Sequence, residues 1–255
     1  MNLEEYRQRR TAISQALRVF VQPFAALLPA RPTQQVFAQW VEAVYPAVYR
    51  ARMEHYRLAE QFYREAREEA LGRDEPVDFP RRNYGPDDLM RGLLARPTIP
   101  DPTTATGDDS DEDGEETLED QQVLVSEVVD VAEQHALDGG REAMVDAARH
   151  DERALGYARV ATGETTCAFC LMLVSRGPVY KDRNSALLRD GTSEPYHPRC
   201  DCEAVPVFER STWPGRDQYL EMERAWAEHA NGNLKDWRAW VEGRVRDEED
   251  TAASA

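Results

Sequence analysis

Hydrophobic residues recur at three- and four-residue steps along the first seventy positions, which is the spacing of an amphipathic helix. The first run lies within residues 3–28, and the two prolines that follow are expected to end it. A second run begins after Thr33, a residue suited to the N-cap position, and continues towards Gly72. The pattern therefore predicts an N-terminal helical hairpin over residues 1–73.

The next stretch, residues 74–120, has the composition of a linker. It begins with short polar pieces separated by prolines, among which residues 86–94 are consistent with one brief helix. Residues 101–120 then contain ten acidic side chains, no basic one and no aromatic one. Such a segment cannot bury enough apolar surface to offset the entropy of ordering, so a disordered acidic tether is expected.

Residues 121–210 combine helical spacing with short β-like pieces. Helical periodicity resumes at Val123, Gly139-Gly140 indicates a break or a loosened turn, and a further helix is expected over residues 141–149. Short strands are then predicted at Tyr157–Ala161, Val179–Lys181 and Cys202–Phe208.

Two further helices are predicted over residues 211–248, before a charged tail at residues 249–255. Ser211 or Thr212 is expected to cap the first, Asn231-Gly232 to end it, and Asn233 to start the second. The fold class is therefore mainly α with a small α+β C-terminal domain.

Composition shows where the net charge lies along the chain and indicates the cellular compartment. The 255 residues carry a formal net charge of −17, but the tether contributes −10 of it, so the other 235 residues carry only −7. No apolar run approaches the roughly 18 residues that cross a bilayer, and the first ten residues are too polar for a secretory signal. A cytoplasmic origin without membrane contact is expected, and that compartment keeps thiols reduced.

All four cysteines lie within a short region, in the order Cys167, Cys170, Cys200 and Cys202, with His197 beside the second pair. A CxxC turn presents two thiolates to one tetrahedral ion, and a second closely spaced group closes the site. Four of these five side chains are therefore predicted to bind a structural Zn²⁺ ion. A metal-free thiol cluster that forms a disulfide on oxidation is one alternative, and a catalytic metal is another.

Two stretches resemble a known family. GYARVATGETTCAFCLMLVSRGPVY at residues 156–180 and YHPRCDC at residues 196–202 are similar to the signature of the phage Mu protein F-like (MuF-like) minor head proteins of tailed bacteriophages. Asp201 stands where many members carry a basic residue. The resemblance covers about residues 120–210, which would make that region a MuF-like Cys/His domain.

The resemblance implies a minor capsid protein that acts in head morphogenesis. Such a protein is bound near the portal vertex of the virion, after assembly in the host cytoplasm, and acts in head assembly or in DNA packaging and delivery. The expected partners are the portal protein and other virion proteins, with packaged DNA as a further candidate.

Two alternatives stay open. Proteins of this kind in actinobacterial phages are often labelled capsid maturation proteases, and Ser175, Ser185 and His197 are the candidate residues for that chemistry. No GxSxG-type elbow supports the activity, so a non-enzymatic protein is favoured. A zinc-stabilised nucleic-acid-contacting module is the other alternative, although residues 151–210 carry a net charge of only −1. Its candidate DNA contacts are Arg176, Lys181, Arg183, Arg189 and Arg199.

Overall fold

The computed structural model describes residues 1–72, 76–96, 117–162, 166–179 and 202–253, with side chains described to residue 244. This part of the chain is mainly helical and contains one two-stranded antiparallel sheet, so the predicted fold class is confirmed at that level. The helices are α1 (Leu3–Ala25), α2 (Gln34–Leu71), α3 (Pro86–Leu94), α4 (Leu118–His150), α5 (Ala168–Val174), α6 (Arg216–His229) and α7 (Leu234–Ala253). The strands are β1 (Gly156–Ala161) and β2 (Cys202–Val207).

The first two helices form as the hydrophobic spacing predicts. The Oγ1 atom of Thr33 accepts a hydrogen bond from the N–H of Val36 at 3.3 Å, which confirms the predicted N-cap of α2. Pro46 lies inside α2 without ending it, and Pro23 lies in the last turn of α1. Both helices therefore keep the lengths that their apolar stripes indicate.

The helix α4 begins slightly earlier than expected. The hydroxyl of Thr117 accepts a hydrogen bond from the N–H of Asp120, and the Asp120 carboxylate accepts one from the N–H of Thr117. This reciprocal cap makes residues 118–120 the first turn of α4, so the tether prediction was wrong for them. Residues 97–116, which hold most of the acidic run, lie outside the described residues.

The prediction of a helix break at Gly139-Gly140 was wrong, because α4 is continuous through both residues. Their role is to permit close packing against α2. A Cβ atom on Gly139 would lie 2.3 Å from the carbonyl oxygen of Arg52, and one on Gly140 would lie 2.9 Å from that of His55. The glycines therefore let two helix backbones approach where any larger residue would separate them.

The sheet pairs β1 with β2 antiparallel, so that Gly156 lies opposite Val207 and Ala161 lies opposite Cys202. Every residue of β2 is buried, and so are five of the six residues of β1. These two strand predictions are confirmed. A strand was also predicted at Val179–Lys181; Val179 is not part of a strand, and residues 180–181 lie outside the described residues.

The C-terminal helices are present, but the first starts later than expected. Neither Ser211 nor Thr212 caps α6; the N-cap is Gly215, whose φ is 89° and whose position lies tightly against Val160. Asn233 does cap α7, since its Oδ1 accepts hydrogen bonds from the N–H groups of the second and third helical residues. The helix α7 extends through part of the predicted tail, to Ala253.

The chain divides into two compact units, each built from separated segments. Unit 1 contains Met1–Arg7, Ala59–Pro80 and Arg141–Ala255, and unit 2 contains Gln8–Leu58 and Arg81–Gly140. The helices α1, α2 and α4 thus contribute residues to both units. The sequence-derived boundary at residue 120 falls inside α4, whereas the boundaries at residues 73, 210 and 248 stay predictions.

The apolar faces of α1, α2, α3 and α4 pack together to form the core of unit 2. Arg18 of α1 adds ion pairs to Asp130 and Glu133 of α4, at 2.8 and 2.5 Å. The buried core of the unit consists of Leu17, Val21, Ala25, Leu28, Phe37, Trp40, Val41, Val44, Val48, Ala51, Leu89, Leu93, Leu124, Val128, Val129, Val131, Ala132 and Ala136.

Unit 1 has an aromatic core with buried charges. Tyr6 stacks on Phe62 with a centroid separation of 4.5 Å, and the ring of Tyr63 meets Phe208 edge-on at 5.4 Å. Two ion pairs are almost completely buried here, Arg67 with Asp151 and Arg141 with Glu203. Buried charges are tolerated only when they are paired, so both pairs are expected to be sensitive to substitution.

His135 of α4 is a half-buried histidine in unit 2. Its imidazole ring packs against Tyr84, with ring centroids 5.7 Å apart, and directly against Gly92 of α3. Protonation of this ring would place a charge where α3 meets α4. Because burying a charge between these helices is costly, the packing of α3 against α4 favours the neutral imidazole of His135.

The charges around His135 do not cancel this preference. Burial is the main cause that lowers the pKa of His135 below its ordinary value of 6.5. The carboxylates of Asp138 and Asp88 act in the opposite direction, whereas the guanidinium groups of Arg52 and Arg96 reinforce the lowering. The folded protein therefore binds this proton less readily than the unfolded chain does.

The consequence is a loss of stability on acidification. The contribution of His135 is fully present above the ordinary pKa of 6.5, and it is lost as the pH falls from there through the lowered pKa of the folded state. We expect the free energy of unfolding, measured with urea, to fall between pH 7.5 and pH 5.5. The fall should be larger for the wild-type protein than for His135→Gln. Equal drops would contradict this assignment, because the other histidines are common to both proteins.

Candidate metal centre

Cys167 and Cys170 lie at the start of α5, where the first N–H groups of a helix have no partner inside the helix. Cys167 occupies the N-cap position with extended backbone angles, φ −65° and ψ 153°. Its Sγ accepts a hydrogen bond from the N–H of Cys170 at 3.4 Å. The CxxC spacing thus holds the exposed sulfur of Cys167 over the turn that carries the buried Cys170.

Cys202 reaches the same place from the sheet. It is the first residue of β2, opposite the last residue of β1, and its exposed fraction is only 1%. It packs against Cys170, which is completely buried. The structure therefore brings two of the five predicted ligands into contact from elements that are distant in sequence.

The remaining predicted ligands, His197 and Cys200, lie outside the described residues. Within the described ranges, no group of three or more histidine, cysteine or acidic side chains is placed to hold a metal ion. The chemistry of the cysteines nevertheless fits zinc, which prefers thiolate donors in closed structural sites. Cys167, Cys170 and Cys202 are the described residues that would supply those donors.

A buried arginine borders the cysteines. Arg159 of β1 is 1% exposed, and its guanidinium donates a hydrogen bond to the Sγ of Cys202 at 3.5 Å. Sequence reasoning did not single out Arg159. The signal was its odd placement, since a charged residue stands within the apolar run of a strand next to the CxxC element.

Trp237 of α7 fixes the other side of α5. Its side chain is completely buried, and its indole N–H donates to the carbonyl oxygen of Ala168 at 2.7 Å. The ring also packs against Trp226 and Trp240, with centroid separations of 5.2 and 4.9 Å. Ala168, one of the two residues between the cysteines of the CxxC element, is thus hydrogen-bonded to the C-terminal helix pair.

The candidate protease residues are not assembled in the described part of the chain. The hydroxyl of Ser175 donates to the carbonyl oxygen of Met172 at 2.8 Å, where it helps to end α5. Ser185 and His197 lie outside the described residues. Ser175 therefore acts as a helix C-cap in this geometry.

The candidate DNA contacts are only partly described. Arg176 is exposed immediately after α5. The remaining candidates, Lys181, Arg183, Arg189 and Arg199, lie outside the described residues. Whether these basic side chains share a face stays a prediction.

Comparisons with known proteins give a consistent result along most of the chain. A family model described as VG15 protein matches residues 1–229. Gene 15 protein of Mycobacterium phage D29 is 29% identical over 234 residues, covering 80% of this chain and 79% of the relative. Gene 15 protein of Mycobacterium phage L5 is 29% identical over 265 residues, covering 89% and 85%. No solved structure matches the chain.

The helices were also compared with the requirements of a bilayer. Among the described residues, no helix combines the length and the apolar character that a membrane span needs.

Proposed function

We propose that this chain, which belongs to the VG15 protein family, is a minor capsid protein of a tailed bacteriophage that acts at the portal vertex. The chain is a bacteriophage gene product, since its family match spans residues 1–229 and both relatives come from mycobacteriophages. That match is the observation that carries the proposal. The MuF-like resemblance of residues 156–180 and 196–202 supplies the head-morphogenesis role.

The zinc ion has a structural role in this proposal. Cys167, Cys170 and Cys202, with Cys200 or His197, would hold it, and all its coordination positions would be filled by the protein. Support comes from the buried contact between Cys170 and Cys202. The ion would link α5 to the sheet and so keep this region compact.

A virion analysis tests the capsid role. We expect mass spectrometry of purified virions to detect the chain at a much lower copy number than the major capsid protein. Antibody labelling should place it at a single vertex, together with the portal protein. The proposal fails if the chain is present in infected cells but absent from both finished virions and precursor heads.

A cleavage assay tests the protease alternative. The purified full-length chain is mixed with unprocessed major capsid protein, and we expect no cleavage. Site-specific cleavage that is abolished by substitution of Ser175, Ser185 or His197 would replace the minor capsid proposal with maturation protease.

Gel shifts address the nucleic-acid alternative. We expect the full chain to bind DNA weakly at low salt and without a steep salt dependence, because its net charge is −17. Tight binding that weakens strongly with added salt would favour the nucleic-acid-contacting module.

Removal of zinc is expected to destabilise the protein. A structural zinc ion contributes several kcal/mol to folding, and each kcal/mol moves the melting temperature of a chain of this size by roughly 2–4 °C. We expect a chelator to lower the melting temperature of the full chain by about 10 °C and zinc to restore it. An unchanged melt, with no zinc found by elemental analysis, would refute the structural ion.

A further inference from the structure

The register of the sheet places Arg159 beside Cys202. Residues directly opposite each other in an antiparallel pair share a face, and so do alternate residues along one strand. Ala161 lies opposite Cys202, and Arg159 lies opposite Ala204. Arg159 is therefore the diagonal neighbour of Cys202, at a separation that a long side chain spans.

The observed contact agrees with this register. The guanidinium of Arg159 donates to the Cys202 sulfur at 3.5 Å, and both residues are 1% exposed. Cys170 of α5 packs against Cys202 in the same buried cluster. The Cys202 sulfur thus accepts a hydrogen bond from a cation in a place that is closed to water and shared with a second cysteine.

The charge of a zinc–thiolate cluster explains why a cation beside it would be favourable. A zinc ion with three thiolates carries a net charge of −1, and with four thiolates −2, so burial of either cluster is costly without a nearby cation. An arginine side chain stays protonated at any pH that the protein encounters. A hydrogen bond from such a group to a thiolate is charge-assisted and is correspondingly strong.

We propose that Arg159 is a positioning residue for the zinc site, which orients the sulfur of Cys202 towards the ion and offsets the negative charge of the thiolates. The inference rests on the structural zinc ion of the proposed function. Groups that orient metal ligands in this way typically contribute 10- to 100-fold to metal affinity. The same range is expected for Arg159.

The sheet supplies a matched control on its opposite face. Arg141 of α4 pairs with Glu203 at 3.3 Å, and both side chains are 2% exposed. Glu203 is the residue after Cys202, so its side chain points away from the sulfur. Arg141→Met therefore removes an equally buried guanidinium that pairs with the same strand on its other face.

The test measures zinc affinity in the full-length protein by competition with a chromogenic chelator, with Co²⁺ absorption as a report on sulfur ligation. We expect Arg159→Met to bind zinc 10- to 100-fold more weakly than wild type and to show a weakened sulfur-to-cobalt band. Arg159→Lys, which keeps the charge but loses the planar fork, should lie between the two. Arg141→Met should bind zinc as wild type does.

The outcomes separate this inference from the proposal beneath it. Equal affinities for wild type and Arg159→Met, or an equal loss in Arg141→Met, would overturn the role of Arg159 and leave the zinc site standing. If Arg159→Met fails to fold, Arg159→Lys decides, and wild-type affinity in that variant overturns the inference. A wild-type protein that binds no zinc would remove the zinc site and this role together, while the virion test would still judge the capsid role.

Discussion

Replacing Asp151 with alanine is expected to lower the free energy of unfolding by about 3–5 kcal/mol, because it leaves a buried guanidinium without its carboxylate. Asp151 follows the last residue of α4 and accepts a hydrogen bond from Arg67 Nε at 2.8 Å. The side chains of this pair are 4% and 5% exposed. Urea unfolding followed by circular dichroism measures the change.

Two further donors make Asp151 the centre of a small network. The hydroxyl of Tyr63 donates to the same carboxylate oxygen at 3.2 Å, and the N–H of Arg153 donates to the other at 2.9 Å. Burial, followed by the charge of Asp151, raises the pKa of the Tyr63 hydroxyl, so that it remains a donor. The substitution therefore removes the carboxylate that accepts hydrogen bonds from Arg67, Tyr63 and the N–H of Arg153, and it also removes the charge that pairs with Arg67.

A double substitution distinguishes the charge from the packing. Arg67→Met combined with Asp151→Leu removes both charges, and we expect it to recover a large part of the loss. Glu60→Ala is the control for a half-exposed pair, since Arg64 and Glu60 lie one helical turn apart at 3.0 Å. Its cost should stay near 0.3–0.5 kcal/mol. A cost below about 1 kcal/mol for Asp151→Ala would contradict the buried network.

Replacing Trp237 with alanine is the second large effect, with an expected loss of about 3–5 kcal/mol. The substitution empties a completely buried site and removes the hydrogen bond to the Ala168 carbonyl oxygen. Because α5 packs against α7, the loss should be concentrated at the CxxC helix. Hydrogen exchange of the amides in α5 is expected to accelerate along with the loss in global stability.

Trp237→Phe separates the two contributions. It keeps most of the ring and loses the N–H donor, so the expected cost is about 1–3 kcal/mol for the unsatisfied carbonyl. Trp226→Ala is a useful comparison, since Trp226 belongs to the same aromatic stack but is only partly buried. If Trp226→Ala costs as much as Trp237→Ala, the hydrogen bond to Ala168 is not what stabilises α5.

Local sequence signals were sufficient for most of the helices and for the paired strands. The caps at Thr33 and Asn233 and the short helix at residues 86–94 depend on side-chain chemistry within a few residues, which a sequence displays directly. The positions of β1 and β2 are equally accessible, because both are short apolar runs bounded by turn residues. Their pairing with each other became evident only from the structure.

The errors arose where a distant segment decides the local structure. Gly139-Gly140 has the composition of a break, yet the nearby backbone of α2 requires glycine in a continuous helix. Similarly, α6 starts at Gly215 and not at Ser211 or Thr212, where Gly215 lies against Val160 of the sheet. No periodicity marks α5, because a seven-residue helix buried on most sides shows none.

The residues of the candidate site also divide into those that sequence spacing identifies and those that only the fold reveals. Spacing alone placed Cys170 and Cys202 in one cluster, since zinc chemistry constrains which residue types lie together. Arg159, Trp237 and Asp151 carry no such signature. Each becomes informative only when the fold shows what its polar atoms contact.

The interleaving of the two units has a consequence for how the gene can change. Unit 2 is inserted into unit 1 in two pieces, with junctions after Arg7, Leu58, Pro80 and Gly140. Three of these four junctions fall inside helices. No single recombination event can exchange one unit for that of a relative while it leaves the other whole, so the two units are expected to be inherited together.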